Sequence, residues 1–257
     1  MKPQKTFFYI LVRSRNSFQY FDRCVNSILN QNYTEYSILY IDDHSNYTTK
    51  EKKYIKQKLQ NHEAIFNKFR KYSLKNAYEV IHKYATKEKS VVVSLDGDDW
   101  LYNTNVLQIL NDIYEKQDCV ATYGDCYIWK NATLSEKPAS KTLEYCNIPY
   151  PQEIIDTKSF RKYPFLPLHL RTWRTKVFKK IPISEFKDHE DNWFKFCEDQ
   201  AIFYPILEMY PKKVLCVTKP LSIYNQDNDN NDFKKNFIEQ VKDELFIRKM
   251  KKYNASA

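Results

Sequence analysis

The sequence predicts an α/β protein with a mostly parallel, doubly wound sheet and flanking helices, because strand-like and helix-like segments alternate through its first half. Three apolar runs, Phe7–Val12, Ser37–Ile41 and Ser90–Leu95, have the nearly continuous hydrophobicity of parallel strands that are buried on both faces. In such a sheet, ligands bind beyond the carboxyl ends of the strands. We therefore expect the functional residues directly after these runs.

The helices of the first half follow from the spacing of apolar residues. Ser17 can cap a helix whose apolar face includes Phe18, Phe21, Val25 and Ile28. Further helices are predicted at Thr49–Gln60, Asn76–Ala85 and Thr104–Tyr114, and further strands at Ala64–Phe69 and Cys119–Tyr123.

The second half of the chain is less regular. Residues 131–165 contain four prolines and are predicted to run over the surface. The predicted elements that follow are helices at Leu170–Lys179 and Asp199–Met209, strands at Val214–Thr218 and Leu221–Tyr224, a turn at Gln226–Asp232 and a charged amphipathic helix at Phe233–Lys252. No linker or internal repeat is visible, so we predict one domain with three parts, residues 1–125, 126–232 and 233–257.

Composition excludes several classes of protein. The chain of 257 residues has two glycines, which excludes the glycine-rich loops that bind dinucleotides and nucleoside triphosphates. Its six cysteines form no C-x-x-C pair, so we expect neither a zinc module nor a disulfide scaffold, and a reducing, cytoplasmic compartment fits best. We expect no transmembrane segment and no signal peptide. The net charge of +9 is attributed to solvated lysines, so no nucleic-acid partner is expected.

An acidic cluster follows the third apolar run. Asp96, Asp98 and Asp99 lie within four residues, around one of the two glycines, Gly97. Carboxylates this close repel one another unless a cation or solvent neutralises them. Oxygen ligands suit Mg²⁺ or Mn²⁺, which bind carboxylates together with substrate phosphates. A glycine lets a phosphate or a sugar approach the backbone. The alternative is an aspartate-rich turn that caps the next helix.

A second acidic pair, Glu198 and Asp199, stands at the predicted start of a helix. A helix N-terminus favours ionised carboxylates, so Asp199 is suited to accept a proton from a hydroxyl group. A plain helix cap is the alternative. The buried face of this helix is predicted to consist of Ile202, Phe203, Ile206 and Leu207.

Four segments of the first half together resemble family 2 glycosyltransferases of the GT-A fold. They are Val12-Arg-Ser-Arg-Asn16, Cys24-Val-Asn-Ser-Ile-Leu-Asn-Gln31, Tyr40-Ile-Asp-Asp-His-Ser45 and Leu95-Asp-Gly-Asp-Asp99. In the family's order, they are similar to its first strand and asparagine, its S-I-L-x-Q helix, its D-D-x-S turn and its D-x-D segment. In the second half, Glu198-Asp199 resembles the E-D segment whose aspartate is the family's catalytic base, so the resemblance implies that Asp199 and Glu198 are catalytic residues, with Asp199 as the base. The resemblance covers residues 6–125 well and 165–232 moderately, and it does not explain residues 131–160 or the last helix.

This resemblance implies a role for each matching position. The implied donor-binding residues are Arg13, Asn16, Asp42, Asp43, Ser45, Asp96, Gly97 and Asp98. Among them, Asp43 would contact the base of a nucleotide donor, usually uracil, and Asp96 would contact the ribose or the sugar. Asp98 and Asp99 would hold Mn²⁺ or Mg²⁺ on the diphosphate. The resemblance thus implies that residues 1–125 bind the nucleotide sugar and that residues 126–232 carry the base and the acceptor side.

Fewer sequence motifs indicate which residues form the acceptor side of the implied site. His169-Leu-Arg-Thr-Trp-Arg174 resembles a segment of a subgroup of the family and would belong to the acceptor-side wall, with Arg171 and Trp173. Trp100 is included because tryptophans stack on sugar rings, and core packing is the alternative for each tryptophan. His169 would orient a phosphate, ligate the metal or be buried with a hydrogen bond.

The residues and the resemblance together predict an inverting, metal-dependent glycosyltransferase. It would move a sugar from a nucleotide donor, with UDP as the expected nucleotide, to a hydroxyl group of a carbohydrate, protein or lipid acceptor. The alternative from another class is a non-catalytic module that binds nucleotide sugars or glycans. A sugar-1-phosphate nucleotidyltransferase would need a glycine-rich loop after the first strand, and Val12–Ser17 contains no glycine. A nucleic-acid binder would show a steep salt dependence of binding.

Overall fold

The computed structural model describes residues 5–229 and 235–253. Its strands are β1 (Phe7–Ser14), β2 (Tyr36–Asp42), β3 (Glu63–Phe66), β4 (Ser90–Asp96), β5 (Trp100–Leu101), β6 (Ala121–Lys130), β7 (Thr133–Leu134), β8 (Arg171–Arg174) and β9 (Val214–Asn225). Its α-helices are α1 (Phe18–Leu29), α2 (Thr49–Lys58), α3 (Tyr72–Tyr84), α4 (Val106–Lys116), α5 (Gln152–Thr157), α6 (Thr175–Phe178), α7 (Glu198–Met209) and α8 (Phe237–Lys249). The predicted alternation of strands and helices in the first half is confirmed.

All the strands belong to one mixed sheet in the order β3-β2-β1-β4-β8-β6-β9-β5, and β7 pairs with β6. The first four strands of this order are parallel: β1 pairs with both β2 and β4, and β2 pairs with β3. β8 runs antiparallel between β4 and β6, with Arg171 opposite Ser94. Because β8 begins where β4 ends, residues that precede β8 lie at the edge formed by the carboxyl ends of β1, β2 and β4.

Alternate residues of β1 supply the two hydrophobic cores that cover the faces of the sheet. Phe8, Ile10 and Val12 pack in the core that contains residues of α1, α2 and α4. Tyr9 and Leu11 pack in the core that contains residues of α3, α6 and α7. None of these five side chains is more than 5% exposed. Burial on both faces therefore explains why the strand is continuously apolar rather than alternating.

The prediction of a helix at Leu170–Lys179 is wrong. Arg171–Arg174 form β8, and only Thr175–Phe178 are helical. β8 hydrogen-bonds to β4 on one side and to β6 on the other. Pairing within the sheet therefore overrides the local helical pattern. The two strands predicted at Val214–Thr218 and Leu221–Tyr224 are likewise one strand, β9, whose pairing with β6 shifts register on either side of residue 125.

Other local predictions also differ from the structure. Ser17 precedes α1, but its side chain makes no capping hydrogen bond, and its Oγ lies 2.7 Å from Ser14 Oγ. The predicted surface excursion, residues 131–165, contains β7, α5 and two short 3-10 helices, and it buries Tyr150 and Phe160 in a core. We call this segment the cover. It is packed against the domain rather than extended over its surface.

The structure describes only part of the elements that are predicted near the C-terminus. α8 accounts for the middle of the predicted helix Phe233–Lys252, and Phe233 lies outside the described residues. The last three residues of the predicted turn, 230–232, also lie outside them. Among the helices that the structure describes, none has the length and the apolar content needed to cross a membrane.

Candidate active site

A cavity of about 380 Å³ opens where the carboxyl ends of β1, β2 and β4 meet the start of β8. The sequence-predicted residues that line it are Arg13, Asp43, Asp96, Asp98, His169, Arg171, Glu198 and Asp199. Both predicted acidic clusters therefore face one cavity, although about a hundred residues separate them in the chain. The parallel register explains part of this placement, since Arg13 of β1 is paired with Asp96 of β4.

Arg13 connects the two acidic clusters. Its guanidinium donates hydrogen bonds to Asp96 Oδ1 at 2.8 Å, to Ser94 Oγ at 2.8 Å, and to Glu198 Oε1. Burial alone would lower the pKa of Arg13, but Glu198 and Asp96 together raise it above its usual value. Arg13 is therefore a buried cation between two carboxylates. A contact with a nucleotide, which the sequence analysis implied for it, stays a prediction.

Asp96, Asp99 and His169 form a candidate metal centre. One ligand atom of each residue lies within 4.8 Å of the other two. Asp99 Oδ2 is 3.8 Å from His169 Nδ1, and the Asp99 side chain is only 2% exposed. Two carboxylates with one imidazole are a donor set that suits Mn²⁺, and carboxylates also suit Mg²⁺. The residues present therefore fit a divalent cation.

The pKa of each residue of this centre is shifted, and Asp99 needs a cation beside it to take the ionised form that binds a metal. Burial and the neighbouring carboxylates raise the pKa of Asp99 well above its usual value. Burial also acts to raise the pKa of Asp96, but Arg13 outweighs it, and the pKa is lower than usual. Burial lowers the pKa of His169 to about 3. The imidazole is thus neutral at pH 7, which is the form that binds a metal.

Asp98 and Asp99 are held by residues at the end of β9 and just after it. Asp98 Oδ2 accepts a hydrogen bond from Asn228 Nδ2 at 2.7 Å. Asp99 Oδ1 accepts one from the backbone N–H of Asn225 at 2.8 Å. Within residues 5–229 and 235–253, the carboxylate grouped with Asp99 and a histidine is Asp96 rather than Asp98. The geometry therefore favours Asp96 as the second ligand, and the metal role of Asp98 stays a prediction.

Asp199 is oriented by Arg171 and by the start of α7. Its Oδ2 accepts a hydrogen bond from Arg171 Nη1 at 3.3 Å, and its Oδ1 accepts one from the backbone N–H of Gln200 at 2.8 Å. Arg171 is buried in β8, and the Asp199 side chain is 26% exposed. Asp199 is thus an accessible carboxylate beside the guanidinium of Arg171, at the start of a helix. Such a carboxylate can accept a proton from a bound hydroxyl group.

Asp43 caps α3 from across the edge of the sheet. Its Oδ1 accepts hydrogen bonds from the backbone N–H of Lys71 at 2.8 Å and from Asn67 Nδ2 at 3.0 Å, and its Oδ2 accepts one from the backbone N–H of Tyr72 at 2.9 Å. The N-cap residue of α3, Lys71, makes no side-chain capping hydrogen bond. Asp43 also lines the cavity, next to Arg70, whose guanidinium lies 3.9 Å from the centre of the Tyr72 ring. Its predicted contact with a nucleotide base stays a prediction.

Three other implied donor-binding residues, Asn16, Asp42 and Ser45, do not line this cavity. The backbone N–H of Asn16 donates to Ser45 Oγ at 2.7 Å, and the backbone N–H of Ser45 donates to Asp42 Oδ1 at 3.2 Å. Asn16 Oδ1 accepts a hydrogen bond from the backbone of Asn46 at 3.0 Å. These residues therefore join the turn after β1 to the turn after β2. Their predicted contacts with the donor stay predictions.

A glycine is required at position 97 because a side chain there would collide with the end of β1. A Cβ atom at this position would lie 2.8 Å from Ser14 Cβ and 3.0 Å from the carbonyl oxygen of Arg13. The backbone N–H of Gly97 donates to that same carbonyl at 2.7 Å. The sequence predicts that this glycine admits a phosphate or a sugar to the backbone, but in the structure the end of β1 occupies the space next to it. This close approach carries Asp96 and Asp98 to the cavity.

The two tryptophans expected on the acceptor side lie away from the cavity. Trp173 is 1% exposed and packs edge-on against Phe203, with ring centres 6.0 Å apart. Trp100 is 7% exposed, and its ring centre lies 5.6 Å from that of Trp129. Core packing, the alternative considered for each tryptophan, is therefore where the structure places both. Their assignment to the acceptor wall is corrected accordingly.

Helix α8 supports the loop that leads to Asp199. One oxygen of Asp243, Oδ2, accepts hydrogen bonds from the backbone N–H groups of Lys195 at 3.0 Å and Phe196 at 2.8 Å. The next residue, Cys197, has a positive φ of 53° and donates from its thiol to a backbone carbonyl of α8 at 3.3 Å. Sequence reasoning missed this role of the last helix, because the contacts join positions more than forty residues apart.

Comparisons with known proteins concern the family and the fold of the chain. The family model "Glycosyl transferase family 2" matches residues 9–182. No curated protein sequence matches the chain. Among solved structures, S. aureus TarS 1–349 in complex with UDP-GlcNAc is similar at 18% identity and a TM-score of 0.58, over 88% of this chain and 60% of that one. A second S. aureus TarS structure is similar at 16% identity and a TM-score of 0.59, over 90% of this chain and 38% of that one.

A further similar structure is the mannosyltransferase PcManGT from Pyrobaculum calidifontis in complex with GDP-Man and Mn²⁺. It has 12% identity and a TM-score of 0.57, over 97% of this chain and 66% of that one. At these identities, the likeness is one of fold, and it confirms the predicted GT-A fold. The chain spans 60% and 38% of the lengths of the two TarS chains.

Proposed function

This chain belongs to glycosyl transferase family 2, and we propose that it transfers a sugar from a UDP-linked donor to an acceptor hydroxyl group, with inversion and with a divalent cation. One observation carries the proposal. Two residues of the candidate metal centre, Asp96 and His169, line the same cavity as a separate, accessible carboxylate, Asp199, at the carboxyl ends of the strands. This is the edge at which an α/β sheet binds ligands.

The donor is proposed to lie along the ends of β1 and β2. The polar and charged lining there includes Ser14, Asp43, Arg70 and Asn76. Phosphates and ribose hydroxyl groups need such hydrogen-bonding partners when they leave water. The TarS structures hold UDP-GlcNAc and UDP, and the PcManGT structure holds GDP-Man. Those ligands support a nucleotide sugar, and we favour UDP.

Asp96, Asp99 and His169 are proposed to hold Mn²⁺ or Mg²⁺. A cation bound there would neutralise the charge of the diphosphate leaving group. The neutral imidazole and the two carboxylates provide one nitrogen and two oxygen ligands. Arg13 contacts Asp96 Oδ1, so the cation and Arg13 would share this carboxylate.

Asp199 is proposed as the catalytic base. As the acceptor oxygen bonds to the anomeric carbon, the bond from that carbon to the diphosphate oxygen breaks, and Asp199 takes the hydroxyl proton. One such displacement inverts the anomeric configuration. Glu198 is less suited to this role, because it is buried and paired with Arg13. Arg171 orients Asp199 through its bond to Oδ2.

The test is thermal unfolding with UDP, GDP, CDP or ADP, each with and without Mn²⁺. For a nucleotide at 100 times its Kd, the free energy of unfolding should rise by about 2.7 kcal/mol. We expect UDP to give this increase only with Mn²⁺, and Asp99→Asn to abolish the metal-dependent part. Asp22→Asn, an exposed substitution on α1, is the matched control. Stabilisation by no nucleotide, or equal metal dependence in Asp99→Asn, would contradict the proposal.

A further inference from the structure

One side of the cavity is an apolar wall. It consists of Cys126, Ile128, Ala139, Leu143, Leu168 and Tyr224. These residues come from β6, the cover, the segment before β8, and β9. None of the six side chains is charged. Cys126 and Ala139 are buried in a small hydrophobic cluster, against which Ile128 packs.

The apolar wall adjoins the candidate metal centre. Leu168 directly precedes His169 in the chain. The ring of Tyr224 stacks on the imidazole of His169, with centres 4.7 Å apart and planes inclined by 18°. His169 in turn lies 3.8 Å from Asp99. A ligand group that rests on the wall is therefore next to the centre at which the sugar would be transferred.

The chemistry of the wall differs from that of the remaining lining. The lining near the ends of β1, β2 and β4 is rich in charged and amide side chains, namely Arg13, Arg15, Asp43, Arg70, Asn76 and Asp96. Those groups can satisfy a nucleotide and its phosphates. A hydroxyl group pressed against the apolar wall would lose its hydrogen bonds to water with little replacement, which is costly. An apolar group would instead be stabilised there.

The wall is held in place by two buried polar residues. Asp125, which is 1% exposed, accepts hydrogen bonds from the backbone N–H of Ser140 at 3.1 Å and from Ser140 Oγ at 2.5 Å. The buried side chain of Asn147 accepts a hydrogen bond from the backbone N–H of Leu168 at 3.0 Å. The positions of the cover and of Leu168 are thus set before any ligand binds, as is usual for binding sites.

The cover also carries three exposed apolar side chains. Leu143 is 43% exposed, and Tyr145 and Ile148 are 54% and 38% exposed. Exposed apolar residues clustered next to a cavity are typical of a ligand-binding surface. Of these three residues, Leu143 lines the cavity, so the apolar wall reaches solvent at the cover.

We infer that the acceptor carries an alkyl or aryl group beside the hydroxyl that receives the sugar. This inference rests on the proposed function and adds the chemical class of the acceptor. The apolar group packs on Leu143 and Leu168, and the hydroxyl group is turned toward Asp199. Each methylene that becomes fully buried should tighten binding about fourfold.

The experiment compares methyl β-glucoside with hexyl β-glucoside as probes. Isothermal titration calorimetry measures the binding of each to the full chain in the presence of UDP and Mn²⁺. Since the wall is partly open to solvent, we expect hexyl β-glucoside to bind at least about tenfold more tightly. Leu143→Asp should abolish the preference. Leu245→Asp, at a 52% exposed position on α8, is the matched control and should retain it.

Equal binding of the two glucosides, or binding of neither, would overturn the inference. A preference that persists in Leu143→Asp would overturn it as well, because the apolar group would then bind elsewhere. The affinity for UDP is measured in the same samples. If UDP does not bind, the proposed function fails, whereas UDP binding without an alkyl preference removes only the inference about the acceptor.

Discussion

Arg13 and Glu198, which are 185 positions apart in the chain, form a buried ion pair. The pair connects the end of β1 to the first residue of α7, directly before the candidate base. Their side chains are 5% and 10% exposed. A buried charge that loses its partner typically costs about 3–5 kcal/mol, far more than an exposed one. This pair therefore couples the stability of the fold to the arrangement of the site.

Removing Arg13 should destabilise the protein strongly. In Arg13→Met, Glu198 and Asp96 lose their buried cation, and we expect the free energy of unfolding to fall by about 3–5 kcal/mol in urea titrations. The double variant Arg13→Met/Glu198→Gln should recover part of this loss, because one unpaired charge is removed. Lys116→Met, which breaks an exposed pair with Asp112, is the control and should cost at most about 0.5 kcal/mol. Equal losses in the two single variants would contradict this prediction.

A side chain at position 97 should be poorly tolerated. In Gly97→Ala, the new Cβ would lie 2.8 Å from Ser14 Cβ and 3.0 Å from a backbone oxygen, so backbone must move. We expect a loss of about 1–3 kcal/mol in the free energy of unfolding. Gly124→Ala is the matched control, since its nearest neighbour, at 3.1 Å, is the flexible end of Leu221. The prediction fails if Gly97→Ala is no more destabilising than Gly124→Ala.

His62 should make stability depend on pH. Burial lowers its pKa from the usual 6.5, and its Nδ1 accepts a hydrogen bond from the backbone N–H of Ile38 at 3.3 Å. The unfolded chain therefore binds the proton more readily, so the contribution of His62 is complete above pH 6.5 and is lost as the pH falls below that value.

The check on His62 is urea unfolding at about pH 7 and about pH 5. We expect the free energy of unfolding to fall less between these values in His62→Gln than in the unmodified protein. His189→Gln, at a side chain that is 74% exposed, is the control and should leave the pH dependence unchanged. A pH dependence in His62→Gln equal to that of the unmodified protein would rule out this role.

Asp243 should act as a positioning residue for the loop before Asp199. Both of its backbone hydrogen bonds end on Oδ2, so the single amide oxygen of Asp243→Asn can accept them, whereas Asp243→Ala cannot. We expect kcat for donor turnover to fall about tenfold in Asp243→Ala, with little change in the KM for the donor, because misplacing a catalytic group affects the chemical step. Asp243→Asn should remain close to the unmodified protein. Equal losses in both variants would show that charge, not the two hydrogen bonds, matters.

The parts of the fold that depend on local pattern could be predicted from the sequence. The apolar runs at β1, β2 and β4 are long and buried on both faces, so they stand out without any knowledge of their partners. The buried face of α7 could also be predicted from the spacing of its apolar residues, and Ile202 and Ile206 are fully buried as predicted. The position of the acidic groups could also be predicted, because they follow the strands directly and ligands bind at the carboxyl ends of parallel strands.

The remaining features depend on long-range contacts. β8 is a strand because β4 and β6 flank it, and no local signal in Arg171–Arg174 reports those partners. The position of β8 between β4 and β6 also brings His169 close to Asp99. The role of His169 therefore could not be chosen from the sequence alone. An aromatic residue such as Trp173 also gives no local sign of whether it faces a core or a cavity.

The assignment of Asp199 as the base is tested most directly by Asp199→Asn. The measurement is the rate of UDP release from UDP-sugars with Mn²⁺, together with the stabilisation by UDP and Mn²⁺. The amide is similar in shape, so the contact with Arg171 can remain, but it cannot take up the proton. We expect the rate to fall by about 10²–10⁴-fold while the stabilisation persists. An unchanged rate in Asp199→Asn would contradict the proposed mechanism.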